Sequence, residues 1–214
     1  MNIVLIAPPA AGKGTQAKKI CDRYHLSHLS TGDLLREVTK KDDQFSNEIK
    51  EKMSKGLLIS DDIIIRLIAE KMNNNSNFVF DGFPRNLNQA KQFDKMLEET
   101  NQKIDAILYL TVDKEVAKER ITGRMVCPKC NNVYNFHSED TLKEQYCSCG
   151  NQLIKREYDT VDTFLKRFEI YESDTQPILD YYQNRNNFYN INSDVSPEEV
   201  FDQIEGVLDH LWLV

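Results

Sequence analysis

The sequence predicts an α/β fold: a parallel five-stranded sheet flanked by helices, opened by a strand, a tight loop and a helix, and interrupted by an insertion. Three observations predict it. Short apolar runs lie at 2–6, 26–29, 77–80, 106–110 and 188–191. Longer stretches with helical spacing separate them, and strands alternating with helices pack as a parallel sheet covered on both faces. At 123–159 the pattern turns polar, turn-rich and cysteine-containing, which marks an insertion.

The first run, 2–6, is β-branched and Leu-rich and reads as a buried strand stopped by Pro8 and Pro9. A loop of small residues follows, Ala10-Ala11-Gly12-Lys13-Gly14-Thr15, and a helix is expected over 16–24. Strand, tight loop and helix start gather backbone N–H groups and a positive helix end around one point, and Lys13 adds a mobile charge. That is a socket for nucleotide phosphates. Ala7 stands where the strict phosphate-loop pattern has its first Gly, Gly14 follows the Lys, and the Thr15 hydroxyl comes one residue late. Ala7 and Ala10 carry Cβ atoms and are expected to avoid φ > 0.

The strand at 26–29 leads to Ser30-Thr31-Gly32-Asp33-Leu34-Leu35-Arg36, where Ser30 or Thr31 can cap a helix and Asp33 suits its first turn. Residues 40–55 read as a polar helix ended by Gly56. Another helix, 62–72, begins after Ser60 and Asp61, with Ile63, Ile64, Leu67 and Ile68 on one face. The strand at 77–80 ends on Asp81. A carboxylate at the carboxyl end of a buried strand can hold Mg²⁺ or its waters, where ligands of such sheets bind. Helices are expected at 88–99, at 114–122 with Arg120, at 160–184 with a break near Pro177, and at 197–211. Cys21 reads as a buried structural thiol and Trp212 as packing a helix end. His25, His28 and His210 show no partner pattern.

The 214 residues suit one compact α/β domain with insertions. A net charge of -7 argues against a general nucleic-acid partner but permits a local basic cleft. No run is long enough to cross a bilayer, and the apolar start is short, lacks a basic leader and is broken by Pro-Pro. A cytoplasmic protein without a membrane partner is expected. Four of the five cysteines form Cys127-x-x-Cys130 and Cys147-x-Cys149. In a reducing compartment such pairs suggest metal before disulfide, and four thiolates on two tight knuckles can complete a structural Zn²⁺ site. His137 is an alternative ligand.

The ordered set is specific. Pro9-x-x-Gly12-Lys13-Gly14-Thr15-Gln16, then Ser30 to Arg36, then Asp81-Gly82-Phe83-Pro84-Arg85 with Gln89, then Arg120-x-x-x-Arg124, Arg156 and Lys166-Arg167, resembles adenylate kinase over essentially the whole chain. The resemblance implies a core (1–29, 60–121, 160–214), a monophosphate-binding insertion (30–59) and a zinc-containing lid (122–159). It implies reversible phosphoryl transfer from MgATP to AMP, giving two ADP, by a monomer.

By the same resemblance, Lys13 and the amides of Ala10, Ala11, Gly12, Gly14 and Thr15 hold the triphosphate, and Arg120 covers the donor base. Arg124, Arg156 and Arg167 close on the transferring phosphoryl, the latter two also facing AMP. Arg36 and Arg85 hold the AMP phosphate. Thr31, Gly82, Gln89 and the backbone of Leu57, Leu58 and Ile59 read the acceptor base and ribose. Asp81 positions Mg²⁺ through water, and Asp159 supports the closed lid. Two departures from the family stand out. Tyr158 occupies the place of an Asp, and the Cys147-x-Cys149 knuckle is one residue short. GTP as donor, a nucleotide-binding protein without catalysis, and a zinc-ribbon module that binds nucleic acid are the alternatives.

Overall fold

The computed structural model describes residues 1–40, 44–55, 59–72, 75–136 and 145–212. Its centre is a five-stranded parallel sheet in the order β2-β3-β1-β4-β7, formed by β1 (Ile3–Ile6), β2 (Ser27–Ser30), β3 (Phe78–Asp81), β4 (Ala106–Thr111) and β7 (Phe188–Asn192). The expected α/β class and strand count hold. Two strands are shifted by one residue, so Ser30 and Asp81 end their strands side by side.

Alternation of side chains divides the core between the two faces of the sheet. On one face Val4, Ile6, Phe80 and Ile107 pack against α4 (Asp61–Met72), α5 (Leu87–Glu99) and α8 (Gln176–Tyr182). On the other Ile3, Leu5, Val79 and Leu108 pack against α1 (Lys13–Tyr24) and α9 (Pro197–Trp212). Each face therefore anchors helices whose ends flank the carboxyl edge of the strands. Helix α4 buries Ile64, Ile68 and Met72, while Ile63 and Leu67 lie half-buried against the same cluster.

Two excursions leave this core. Between β2 and α4 stand α2 (Thr31–Val38) and α3 (Gln44–Ser54); the first residues of the helix read at 40–55 include 41–43, which lie outside the described residues. The Ser30 hydroxyl caps α2 by accepting from Asp33 N at 3.3 Å. After α6 (Lys114–Thr122) the chain enters a small antiparallel pair, β5 (Arg124–Val126) and β6 (Val133–Asn135). Gly123 is required at that entrance, because a Cβ there would stand 2.3 Å from the Phe136 carbonyl oxygen.

The long helix read at 160–184 is α7 (Val161–Ile170), a π-helical turn (Tyr171–Thr175) and α8. Gln176 N–H bonds Tyr171 O, five residues back. The Pro177 ring has no N–H and would press on the carbonyl four residues earlier in a regular α-helix, so the turn before it opens. The side chain of Trp212 lies outside the described residues. Cys21 is half-buried rather than buried, and burial pushes its thiol up to about 12. Among the described residues no helix is long and apolar enough to cross a membrane.

Candidate active site

The loop between β1 and α1 makes one wall of the site largely from backbone. Helix α1 starts at Lys13, three residues earlier than the sequence suggested, so Gly14 and Thr15 fall in its first turn with Gly12 (φ 89) as the capping residue. Their N–H groups are among the four that a helix start leaves without intrahelical partners. Ala10 has φ 63, against the expectation that its Cβ keeps it out of the left-handed region. The chain must turn from β1 into α1 within six residues, and closing that turn outweighs the local cost of about 1–2 kcal/mol. Ala7 shows no such conformation.

The Lys13 ammonium donates to Ala7 O at 2.8 Å and to Pro8 O at 3.4 Å, which folds it over the loop. Burial lowers its pKa to about 8, opposed by Asp81 and reinforced by Arg85. Asp81, at the end of β3 next to β1, sits beside the loop; a Cβ on Gly14 would lie 3.6 Å from its Oδ2. Burial alone would raise this carboxyl, but the His28 hydrogen bond and the Lys13, His28 and Arg85 charges outweigh it and hold the group below the usual range. His28, which the sequence left without a partner, lies with Nε2 3.2 Å from Asp81 Oδ2.

The opposite wall is made of side chains. Thr31 is buried and its hydroxyl donates to Gly82 O at 2.8 Å. Gly82 has φ 76, and a Cβ there would stand 2.9 Å from Arg85 Nη2. The Arg85 Nε donates to Gly82 O at 2.7 Å, Nη2 lies 3.4 Å from Thr31 Oγ1, and its backbone N–H donates to Gln89 Oε1 at 2.8 Å. Buried Gln89 donates in turn to Asp61 Oδ1 at 2.8 Å. Asn86 and Asn88 also donate to Asp61, at 2.8 and 2.6 Å. Burial would raise Asp61, yet these three amides lower it overall. Arg36 reaches into the cleft from α2, where its guanidinium pairs with Asp33.

From the excursion after α6 come Arg124, which opens β5, and Arg156, and from α7 comes Arg167. Arg124 donates to both carboxylate oxygens of buried Asp159, with Nε 2.6 Å from Oδ2. Desolvation first, and then the charge of Arg124, lower the pKa values of Arg156 and Arg167. Arg120 donates from Nη2 to Val195 O at 3.3 Å, against the loop before α9. The described candidate residues from Ala10 to Arg167 named so far, with Ile59, border a single cleft of about 1400 Å³. Leu57, Leu58 and His137 lie outside the described residues. Tyr158 borders the same cleft and is 39% exposed.

The four cysteines of the excursion after α6 converge, with Cys127 and Cys130 at the edge of this cleft. Cys127 and Cys149 have their sulfurs 3.5 Å apart, Cys130 and Cys147 3.4 Å, and all four lie within 4.8 Å of one another without a disulfide. A tetrahedral Zn²⁺ with bonds of about 2.3 Å has sulfur–sulfur edges of about 3.8 Å, so the donor set fits that ion. Both knuckles use the same backbone device at different lengths. Cys127 N–H reaches Asn132 O at 2.9 Å, five residues on, whereas Cys147 N–H reaches Asn151 O at 2.8 Å, four residues on. The missing residue tightens the second knuckle and leaves both its sulfurs in the cluster. The Tyr134 hydroxyl, 3.4 Å from Cys147 Sγ, supports it from outside.

His28, Asp61 and Asn86 support this cleft, and sequence reading gave none of them a place in it. The local traces are a helix start at Asp61 and the Asn86 cap ahead of a helix with an apolar face.

The adenylate kinase family model matches residues 5–187. An adenylate kinase of Thermoanaerobacter sp. (strain X514) is 38% identical over 212 residues, covering 97% of this chain and 98% of that protein. The adenylate kinase of Archaeoglobus fulgidus is 36% identical over 215 residues, 99% of each. That of Clostridium tetani is 38% identical over 212 residues, 97% and 98%.

Proposed function

The chain belongs to the adenylate kinase family, and from that premise we propose how its cleft carries out reversible transfer of a phosphoryl group from MgATP to AMP, giving two ADP. The observation that supports the assignment of roles is the convergence of Lys13, Arg36, Arg85, Arg124, Arg156 and Arg167 on one cleft, with a backbone loop on one side and a side-chain network on the other.

The reaction needs little covalent work from the protein. An AMP phosphate oxygen attacks the γ-phosphorus, the bond from that phosphorus to the β–γ bridging oxygen breaks, and ADP leaves. What must be supplied is alignment, charge neutralisation and exclusion of water. The loop amides and Lys13 bind the donor phosphates, and Arg120 lies over the donor base. Arg85 and Arg36 hold the AMP phosphate, and Thr31, Gly82, Gln89 and Ile59 face its base and ribose. Guanidinium groups suit the task because their planar forks match phosphate oxygens and stay charged. Arg124, Arg156 and Arg167 gather at the transferring group, with Asp159 orienting Arg124.

Mg²⁺, which the family uses with ATP, is held by one carboxylate and substrate phosphates in such sites. Asp81, ionised and facing the loop, fits that role through water. Cys127, Cys130, Cys147 and Cys149 hold one structural Zn²⁺ in this reading, and the small buried cluster of Cys127, Cys147 and Leu153 would explain why the lid needs it. Residues 30–59 and 122–159 are the moving pieces, one over each nucleotide. ATP and AMP are the partners of a monomer in the cytoplasm; the charge of -7 speaks against nucleic acid.

Formation of ADP from ATP, AMP and Mg²⁺, run against a panel of other donors and acceptors, tests the assignment and separates ATP from GTP. Arg85→Ala is expected to lower turnover at least about tenfold; full activity in that variant contradicts its role. Elemental analysis is expected to find one zinc per chain, and a metal-free protein with an ordered lid contradicts the Cys₄ assignment.

A further inference from the structure

The π-helical turn stands between two parts of the site. Arg167 and Thr175 are eight residues apart, which on a regular α-helix is about 2.2 turns and puts them about 80° apart around the axis. The turn at Tyr171–Thr175 absorbs one extra residue, and both Arg167 and Thr175 border the cleft. The turn is pinned on both sides. The hydroxyl of buried Tyr171 lies 3.1 Å from that of Tyr109 on β4, and the Thr175 hydroxyl donates to the backbone carbonyl of Arg85 at 2.7 Å. With Gln89 on its N–H, Arg85 thus has both of its backbone polar groups held by side chains, one four residues on and the other ninety. Its guanidinium, steadied by Gly82 O through Nε, keeps further N–H donors to meet a ligand.

We propose that Thr175 is a positioning residue for the acceptor nucleotide: its hydroxyl, delivered by the π-helical turn, fixes the backbone from which Arg85 reaches the AMP phosphate. Thr175 touches no reacting atom in this account. It acts through Arg85, and so the inference rests on the reading of Arg85 given above. Pro177 has a part in it, since the proline opens the turn that aims the hydroxyl. The same turn carries Arg167 on its N-terminal side, so one continuous helical segment indexes the acceptor phosphate against the transferring group.

Thr175→Val keeps the shape and removes the donor. The expected result is a rise in KM for AMP of about five- to tenfold, the loss carried by one hydrogen bond on the cleft wall, with KM for ATP within about twofold of wild type. Thr175→Ser restores the hydroxyl and is expected to recover most of the AMP affinity, which a packing role for the methyl group would not allow. Should the valine variant not fold, Thr175→Cys, whose thiol is a weak donor, is read in the same way. An unchanged KM for AMP, an equal rise in both KM values, or failure of the serine variant to recover AMP affinity overturns the proposal. Arg85→Ala run alongside separates the two readings. If it leaves AMP affinity intact, the assignment of Arg85 fails. If it abolishes AMP affinity while Thr175→Val does nothing, only the role of Thr175 fails.

Discussion

The two walls of the cleft are built in different ways. In the proposed reading the donor wall, Ala10 to Thr15, presents backbone N–H groups from a helix start, and its one charged side chain, Lys13, is tied back to two carbonyls of the same loop. The acceptor wall is a chain of side chains drawn from four places: Thr31 on α2, Arg85 after β3, Gln89 on α5 and Asp61 at the start of α4. Backbone groups stay in place under substitution provided the turn can close. A relay of side chains loses its geometry when any member goes, because each buried polar group left without its partner costs about 1–3 kcal/mol. A loop held through its backbone can therefore carry Ala7 and Ala10, whereas the acceptor wall needs Thr31, Gly82, Arg85 and Gln89 together.

The strongest way to break the comparison is at Asp61, which lies outside both sequence motifs and yet holds Asn86, Asn88 and Gln89. Asp61→Ala is expected to raise KM for AMP about tenfold and leave KM for ATP within about twofold, because only the acceptor wall loses its anchor. Asp61 is partly exposed, so the stability cost is expected to be about 1–2 kcal/mol, a fall in Tm of roughly 2–8 °C. Its lowered native pKa sets the sign with pH. The contribution is complete above the usual carboxylate range and is lost as pH falls through the native value, so variant and wild type should converge in acid. Equal effects on the two substrates would show that the walls are not independent.

Much of this was legible in the sequence, and what was not shares a cause. The strands could be read because a buried parallel strand is a continuous apolar run. Asp81 could be read because such a strand ends at the ligand edge. His28 could not, since its partner is 53 residues away and β2 is an edge strand whose first two residues are exposed. The Asp61 hub spans 25 to 28 residues and the Thr175 contact spans 90. Pro177 announced a break in the long helix, but a local rule cannot tell a kink from one absorbed residue. Ala10 was misread for the opposite reason: the local rule is sound, and loop closure overrode it.

A sharper test of the donor wall uses the proton on Lys13. Burial places its pKa at about 8 in the ligand-free protein, so at pH 8.5 a substantial fraction is neutral. Phosphates bound beside it favour the charged form. ATP binding at pH 8.5 without Mg²⁺ is therefore expected to take up a fraction of a proton, and at pH 7 almost none. Calorimetry in buffers of different ionisation enthalpy reads this directly. The ligand-free fold behaves accordingly: the cost of the buried charge is complete below about pH 8 and is relieved as pH rises toward the unfolded value of 10.5. Proton release, or equal uptake at both pH values, would mean that Lys13 does not face the phosphates.

The smallest effect is expected at Ala10. Its φ of 63 costs an Ala about 1–2 kcal/mol that a Gly would not incur, while Gly loses about 0.5–1 kcal/mol through the freedom it gains in the unfolded chain. The difference favours Ala10→Gly by up to about 1 kcal/mol, a rise in Tm of roughly 1–4 °C. If the donor wall is made of amides held by the turn, KM for ATP should move by less than about twofold, because the departing methyl group carries no polar atom. A Gly that loosened the loop would instead raise KM for ATP and lower Tm together. That outcome would mean the Cβ stiffens the turn, and the donor wall would then depend on a side chain as much as the acceptor wall does.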